Sequence, residues 1–324
     1  MRHWDISAPA AIAASALVQV ACATPPRIHA GQEAPAKGYA VKELGDGLYW
    51  VTDGAYNTMF AVSTEGVIAV DPLPTLGKNY LNAIREVTDK PIVYVVYSHE
   101  HADHIGAANL FPTTAKFVAQ RETAAMLERR RDPRRPVPTI IFDGTYRLEL
   151  GDQMLVLDYH GVNHEAGNLF IHAPKQKVLM LVDVVYPGWM PYKNLGIGVD
   201  IPGYVEAHRI ALGYDFNTLV AGHVDRLGTR QDVENSLAFV GELRSVVGAS
   251  MARRTFPDYL KSAPSIKTSW ERHNDYELAL VDDCYAEMFP KWSPRLAGSE
   301  SYLKDNCWAM LESLVVQFGP AEVK

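Results

Sequence analysis

Between positions 99 and 104 the chain reads His-Glu-His-Ala-Asp-His, which packs His99, His101, Asp103 and His104 into one short turn. Neutral imidazole nitrogens and carboxylate oxygens suit Zn²⁺, and the same donors accept iron or manganese. No cysteine lies near the turn to favour a softer metal. Three more residues of ligand type stand further along: His164 in Gly161-Val-Asn-His-Glu-Ala-Gly-Asn168, Asp183 after the apolar run Val178–Val182, and His223 in Ala221-Gly-His-Val-Asp225. Two metal ions roughly 3.5–4 Å apart can share a bridging water, lower its pKa toward neutrality and polarise a substrate oxygen. The chemistry such a set supports is hydrolysis by a metal-bridging hydroxide, with Asp103 orienting or deprotonating the attacking water. A serine nucleophile has no support, because no Gly-x-Ser-x-Gly elbow is present.

Each candidate ligand follows a predicted strand. The run Pro91-Ile-Val-Tyr-Val-Val-Tyr97 leads into the histidine turn, Met154–Tyr159 into the His164 loop, Val178–Val182 into Asp183, and Asn217–Ala221 into His223. Loops at strand ends are held by a rigid scaffold and still reach solvent. Upstream, Gly47–Thr52, Thr58–Ser63 and Val67–Val70 read as strands of one sheet, and Leu76, Tyr80, Leu81, Ile84 and Val87 recur at helical spacing over 76–87. Further strand character over Leu169–His172 and helical character over Tyr204–Leu212 and Gln231–Val247 complete a second half. Two strand-rich halves, each closed by helices, predict two sheets packed face to face with helices outside.

In these segments the chain resembles the metallo-β-lactamase superfamily of hydrolases. The turn at 99–104 matches its H-x-H-x-D-H signature, and the histidine loop, the aspartate and the Gly-His segment follow in that family's order over about residues 40–245. The resemblance implies an α/β fold, a four-layer αβ/βα sandwich with two metal ions at one edge of the paired sheets. It implies that His99, His101 and His164 hold the first ion, that Asp103, His104 and His223 hold the second, and that Asp183 bridges them. Two Zn²⁺ per chain are the expected cofactors. Asp71, at the end of its own strand, is a candidate for fixing a ligand histidine from behind.

Within the superfamily the pocket decides the reaction. An aspartate at position 183 is similar to the lactonase, glyoxalase-type thioesterase, sulfatase and phosphodiesterase branches. In one large β-lactamase group a cysteine stands there with a lysine three residues on; here that residue is Tyr186. Tyr186 at this offset is similar to the tyrosine of quorum-signal lactonases that holds the substrate carbonyl or leaving oxygen, so Asp103 and Tyr186 are the candidate catalytic residues. The third-histidine loop departs from the family, reading Glu165-Ala166 where Thr-Pro is usual, and Glu165 either sits beside the metals or faces solvent. Pocket walls are expected from Asp53–Asn57, from Trp189–Lys193 and from the C-terminal extension, with Lys193 and Arg226 as possible carboxylate or phosphate anchors. The expected function is therefore zinc-dependent hydrolysis of a carbonyl ester, lactone or amide. Phosphodiester or sulfate-ester hydrolysis, β-lactam hydrolysis and a non-hydrolytic di-iron role are the alternatives.

The remainder of the chain sets the context. Its 324 residues, 48% hydrophobic and 21% charged, are enough for a large domain with an appendage. A net charge of -7 gives no electrostatic reason to expect nucleic acid, so the expected partner is a small-molecule substrate. The basic cluster Arg129–Arg135 is expected to leave a helix and run through a solvated loop, or to dock an anionic substrate. His160, His172, His208 and His273 are expected to be structural. Residues 1–23 read as a signal peptide ending in Ala21-Cys22-Ala23, too short in its apolar part to span a membrane stably, which places the protein in the periplasm or outside the cell; a cytoplasmic leader is the alternative. The catalytic unit is expected over 38–248. Residues 249–324 form a helical C-terminal extension with breaks at Pro257, Pro264, Pro290 and Pro294 and helices around Trp270–Met288 and Tyr302–Phe318. This extension is expected to cover the pocket or to mediate homo-oligomer contacts. Cys284 and Cys307 within it either form a disulfide or stay reduced and buried.

Overall fold

Alternation along the strands sorts apolar side chains onto two faces, and that sorting builds the layers. The computed structural model describes residues 35–262 and 267–318. The expected leader over 1–23 and the expected break at Pro264 lie outside the described residues.

The first sheet holds seven strands in spatial order: β1 (Ala40–Gly45), β2 (Leu48–Thr52), β3 (Asn57–Val62), β4 (Val67–Val70), β5 (Ile92–Val96), β6 (Lys116–Gln120) and β7 (Ile140–Phe142). It is antiparallel from β1 to β4 and parallel from β4 to β7. Helices α1 (Lys78–Val87), α2 (Ala102–Ile105) and α3 (Arg121–Arg130) connect its later strands. The second sheet comprises β8 (Thr145–Leu150), β9 (Gln153–Asp158), β10 (Phe170–Ala173), β11 (Val178–Leu181) and β12 (Thr218–Ala221), ordered β12-β11-β10-β9-β8. The remaining elements are α4 (Lys193–Ile197), a single turn with positive φ at residues 194–197, and the helices α5 (Ile201–Ala211), α6 (Arg230–Arg253), α7 (Phe256–Ser262), α8 (Ser269–Trp292) and α9 (Ser299–Val316).

Met59, Ala61, Ile68 and Val70 from the first sheet meet Leu155, Ile171, Met180 and Val220 from the second in a buried layer between the sheets. The alternate residues Phe60, Val67, Ala69 and Val95 point the other way, onto Tyr80 of α1 and Leu127 of α3. On β11 the alternates Leu179 and Leu181 pack under Tyr204 of α5, Phe239 of α6, Leu280 of α8 and Met310 of α9. Strands buried on both faces need helices on both sides, and the result is a four-layer αβ/βα sandwich.

The C-terminal helices share that last core rather than forming one of their own. The expected boundary between 248 and 249 falls inside α6. Pro290 does not break the chain: it lies in the last turns of α8, between the buried Met288 and Trp292, whose burial offsets the lost backbone hydrogen bond. Pro257 sits in the first turn of α7, where its missing N–H costs nothing. Cys284 of α8 and Cys307 of α9 form a disulfide. Among the described residues no helix is long and apolar enough to cross a membrane.

Candidate active site

The ends of the strands named above converge at one edge of the two sheets. His99 follows β5, His101 precedes α2 with Asp103 and His104 on its single turn, His164 lies between β9 and β10, Asp183 follows β11 and His223 follows β12. The structure brings these seven side chains together. Donor atoms of His99, His101, His164 and Asp183 lie within 4.8 Å of one another, and so do those of Asp103, His104 and His223. Asp183 joins the two groups: Oδ2 is 3.1 Å from His104 Nε2 and 3.3 Å from His164 Nε2, while Oδ1 is 2.9 Å from His223 Nε2.

Hydrogen bonding alone does not account for this packing. His104 Nε2 faces His223 Nε2 at 3.2 Å, and His164 Nε2 faces His101 Nδ1 at 3.2 Å. His99 Nε2 is buried without a hydrogen-bond partner, and Asp183 Oδ1, though 2.9 Å from His223 Nε2, makes no hydrogen bond of normal geometry. Buried polar atoms are ordinarily paired, so orphaned donors that converge are what a cation would satisfy. The set is nitrogen and oxygen only, so it fits hard or borderline divalent metals. Burial, reinforced by the imidazoles of His101 and His104, holds His99 well below its ordinary pKa and thus in the neutral, ligating form. His164 is pulled down to about 4 by burial.

Local sequence explains how each ligand is held. Gly222 is required before His223, because a Cβ there would lie 2.6 Å from Val182 Cγ1 and 2.8 Å from His104 Cε1. Asn57 ties that loop to the other sheet: its Nδ2 donates to the carbonyls of His223 and Val224 at 3.1 and 2.7 Å. Asn163 Oδ1 accepts from His164 N at 2.6 Å and from Asn168 Nδ2 at 2.9 Å. Asp71, Asp183 and Val224 take positive φ of 38°, 60° and 72°. Such conformations cost on the order of 1–3 kcal/mol each and persist where the surroundings over-determine them.

Several expectations change. Asp71 bonds no ligand ring; its Oδ1 accepts from Ser98 N at 2.7 Å and so fixes the backbone before His99, while Ser98 Oγ lies 2.9 Å from His99 Nδ1. Glu165 faces inward, its Oε2 3.4 Å from His101 Nε2. The basic cluster leaves helix α3 as expected but is not wholly solvated. Arg135 is buried and bonds Glu100 Oε2 at 3.1 Å, and Arg130 reaches Glu100 Oε1 at 2.7 Å. Arg226 is committed to Asp232 at 2.6 Å and the exposed Lys193 lies 3.9 Å from Asp305, and neither lines the cavity. His160, His172, His208 and His273 bond Tyr214, the Asp215 carbonyl, Ser236 and Glu277, away from the ligand set.

A cavity of about 590 Å³ opens onto the ligands. Tyr56, Tyr186, Trp189, Tyr192 and Tyr302 bring five aromatic rings to its walls, with Met190 and Ile197, and among the described residues no lysine or arginine lines it. Tyr56, inside the wall segment expected from sequence but not singled out there, lies against His223 with ring centroids 4.5 Å apart, and its hydroxyl donates to Asp103 Oδ2 at 3.5 Å. Burial, and then the Asp103 charge, push the Tyr56 phenol up to about 12. Tyr186 stacks on His223 at 5.9 Å. Neither Tyr56 nor Asn57 carried a motif; only their place at the mouth of a strand hinted at a role.

Comparison with known proteins agrees with this geometry. The family profile of the metallo-beta-lactamase superfamily matches residues 51–223. The 2,4-dinitroanisole O-demethylase subunit alpha of Nocardioides sp. (strain JS1661) is 30% identical over 192 residues, 57% of this chain and 58% of that protein, so the chain spans less than two thirds of that relative's length. The human (Homo sapiens) acyl-coenzyme A thioesterase MBLAC2 is 27% identical over 201 residues, covering 48% of this chain and 71% of that protein. The solved metallo-beta-lactamase from Pontibacter korlensis superposes with a TM-score of 0.54 at 20% identity, over 62% of this chain and 97% of its own, which is a likeness of fold. With its profile matched over more than half its length and its sheets arranged in the same four layers, the chain belongs to the metallo-beta-lactamase superfamily.

Proposed function

We propose that the protein is a metal-dependent hydrolase acting on a neutral, apolar ester, lactone or amide. The observation that carries this reading is a seven-residue nitrogen and oxygen donor set at the floor of an aromatic cavity that no lysine or arginine lines among the described residues. The residues fit a pair of divalent metals, zinc by preference: His99, His101, His164 and Asp183 would hold one and Asp103, His104 and His223 the other, with Asp183 within reach of histidines of both groups. When bound, such a pair supplies Lewis acidity toward a substrate oxygen and lowers the pKa of water.

The chain's own groups supply the rest. Asp103 Oδ2, at the edge of the cluster and on the cavity wall, is placed to orient the attacking water and take its proton. Tyr56 donates to that same oxygen and sets the carboxylate's rotation. Tyr186, packed on His223, is placed to donate to the substrate carbonyl or leaving oxygen. Trp189, Tyr192 and Tyr302 exclude water and pack the apolar part of the substrate.

The absence of lysine and arginine from the lining, among the described residues, favours neutral substrates over phosphodiesters, sulfate esters and carboxylate-bearing β-lactams. A second reading, cleavage of an aryl methyl ether, is favoured by the 30% identity to a protein named 2,4-dinitroanisole O-demethylase subunit alpha together with the ring-lined cavity. The test is a substrate panel with metal content measured in the same samples: an aryl ester, a lactone, a thioester, a β-lactam, a phosphodiester and 2,4-dinitroanisole. Turnover of neutral carbonyl substrates is expected to exceed that of the phosphodiester; the reverse order would refute the reading. We further infer an oxidising compartment, periplasmic or extracellular, supported by the Cys284–Cys307 disulfide.

A further inference from the structure

Four consecutive residues next to the cavity adopt the left-handed conformation. Asn194, Leu195, Gly196 and Ile197 have φ of 53°, 53°, 72° and 60°. Glycine accepts this freely and asparagine tolerates it, but a β-branched residue such as Ile197 is a genuine outlier there. Strain at a ligand cavity points from geometry toward function. The turn forms one wall: Gly196 and Ile197 line the cavity, and a Cβ at position 196 would lie 2.8 Å from the Tyr186 hydroxyl and 3.1 Å from the Asp183 carbonyl oxygen.

What holds the turn comes from the C-terminal extension. Asn306 of α9 is fully buried; its Oδ1 accepts from Leu195 N at 2.8 Å and its Nδ2 donates to the Pro191 carbonyl at 3.0 Å. Gln317, just past α9, closes the far side by donating to the Val199 carbonyl at 2.8 Å and accepting from Ile201 N at 3.1 Å. Tyr302 of the same helix meets Tyr192 with ring centroids 5.4 Å apart. A side-chain amide that satisfies one backbone donor and one acceptor across more than a hundred residues fixes a backbone that its own dihedral preferences would abandon.

We propose that Asn306 is a specificity-determining positioning residue: it holds the left-handed turn at 194–197 so that Ile197 walls the cavity and selects the apolar group attached to the reacting carbonyl. This deepens, and rests on, the hydrolase reading above.

The test compares the unaltered protein with Ile197→Gly and Asn306→Ala. Glycine keeps the positive φ and removes only the side chain; alanine removes both hydrogen bonds from the extension. Two chromogenic esters are used, 4-nitrophenyl acetate and 4-nitrophenyl octanoate, alongside calorimetric binding of 2-naphthol, a neutral aryl probe that is not turned over. In both variants the octanoate-to-acetate ratio of kcat/KM is expected to fall about tenfold, through KM rather than kcat, and the 2-naphthol Kd to rise about tenfold. Metal content should stay at the unaltered level. A ratio and a Kd both within about threefold of the unaltered protein in Ile197→Gly would overturn the proposal. If the unaltered protein hydrolyses neither ester, the hydrolase reading fails for esters, and the wall is then judged on 2-naphthol alone by the same thresholds. Should Asn306→Ala lose its circular dichroism signal, Ile197→Gly decides.

Discussion

The Arg135 guanidinium and the Glu100 carboxylate form a buried ion pair directly behind the histidine turn, Nη1 to Oε2 at 3.1 Å, with side chains 8% and 1% exposed. Glu100 sits between His99 and His101, so the pair anchors the backbone that presents both ligands. Removing Arg135 takes from Glu100 its buried partner and leaves only the half-exposed Arg130 against it, a loss of about 1–3 kcal/mol. Arg135→Met should therefore lower stability by that amount in urea denaturation and weaken metal retention. The double variant Arg135→Met with Glu100→Gln should recover a large part of the stability. A single variant as stable as the parent would show that the pair does not hold the turn.

Asp71 acts one step further from the ligands. Its Oδ1 satisfies Ser98 N, and Ser98 Oγ in turn meets His99 Nδ1. Asp71→Asn keeps an acceptor and tolerates the positive φ at this position, whereas Asp71→Ala orphans a buried N–H. Groups that orient ligands this way are worth about 10–100-fold in metal affinity. Competition with a chromophoric chelator should show Asp71→Ala weakened by that factor and Asp71→Asn much less affected; equal affinities would remove Asp71 from the account.

His208 gives a pH dependence independent of the metal ligands. It is fully buried, bonded through Nε2 to Ser236 Oγ at 2.8 Å, and burial lowers its pKa to about 4 from 6.5. Because the folded state binds fewer protons than the unfolded state between these values, stability is full above 6.5 and falls as pH drops toward 4. At about 1.4 kcal/mol per unit, the loss is on the order of 3 kcal/mol at the low end. Denaturation midpoints taken across this window should show a slope that His208→Gln flattens, and an unchanged slope in the variant would assign the acid sensitivity elsewhere.

The Cys284–Cys307 disulfide closes a loop with a sequence separation of 23 between two helices of the shared core. Its chain-entropy contribution is about 3 kcal/mol. Reduction, or the double variant Cys284→Ala with Cys307→Ala, should lower the denaturation free energy by about that much. A reduced protein that melts with the oxidised one would mean the crosslink is thermodynamically idle.

The reach of the sequence follows from where each signal resides. His99, His101, Asp103, His104, His164, Asp183 and His223 stood out because ligand-type side chains directly after apolar strand runs are chemically conspicuous, and the paired-sheet sandwich followed from the same runs. Strands β1 and β6–β8 were not readable, since β8 alternates buried with exposed residues, and α3 was legible only at its end, where the arginines were expected to leave a helix. Arg135, Asn57, Tyr56 and Asn306 act through partners dozens to more than a hundred positions away, so no local pattern could mark them. Pro290 misled because helix-breaking is a local preference, and the burial of Met288 and Trp292 around it is a tertiary one.

The most direct check is elemental analysis of the purified protein beside Asp183→Ala, with circular dichroism on both samples. Asp183 approaches histidines of both groups, so about two equivalents of divalent metal, zinc by preference, are expected in the parent, with a loss of at least one in a folded variant. A parent that retains no stoichiometric metal after exposure to zinc, or a variant that keeps the parent's full complement, would contradict the account.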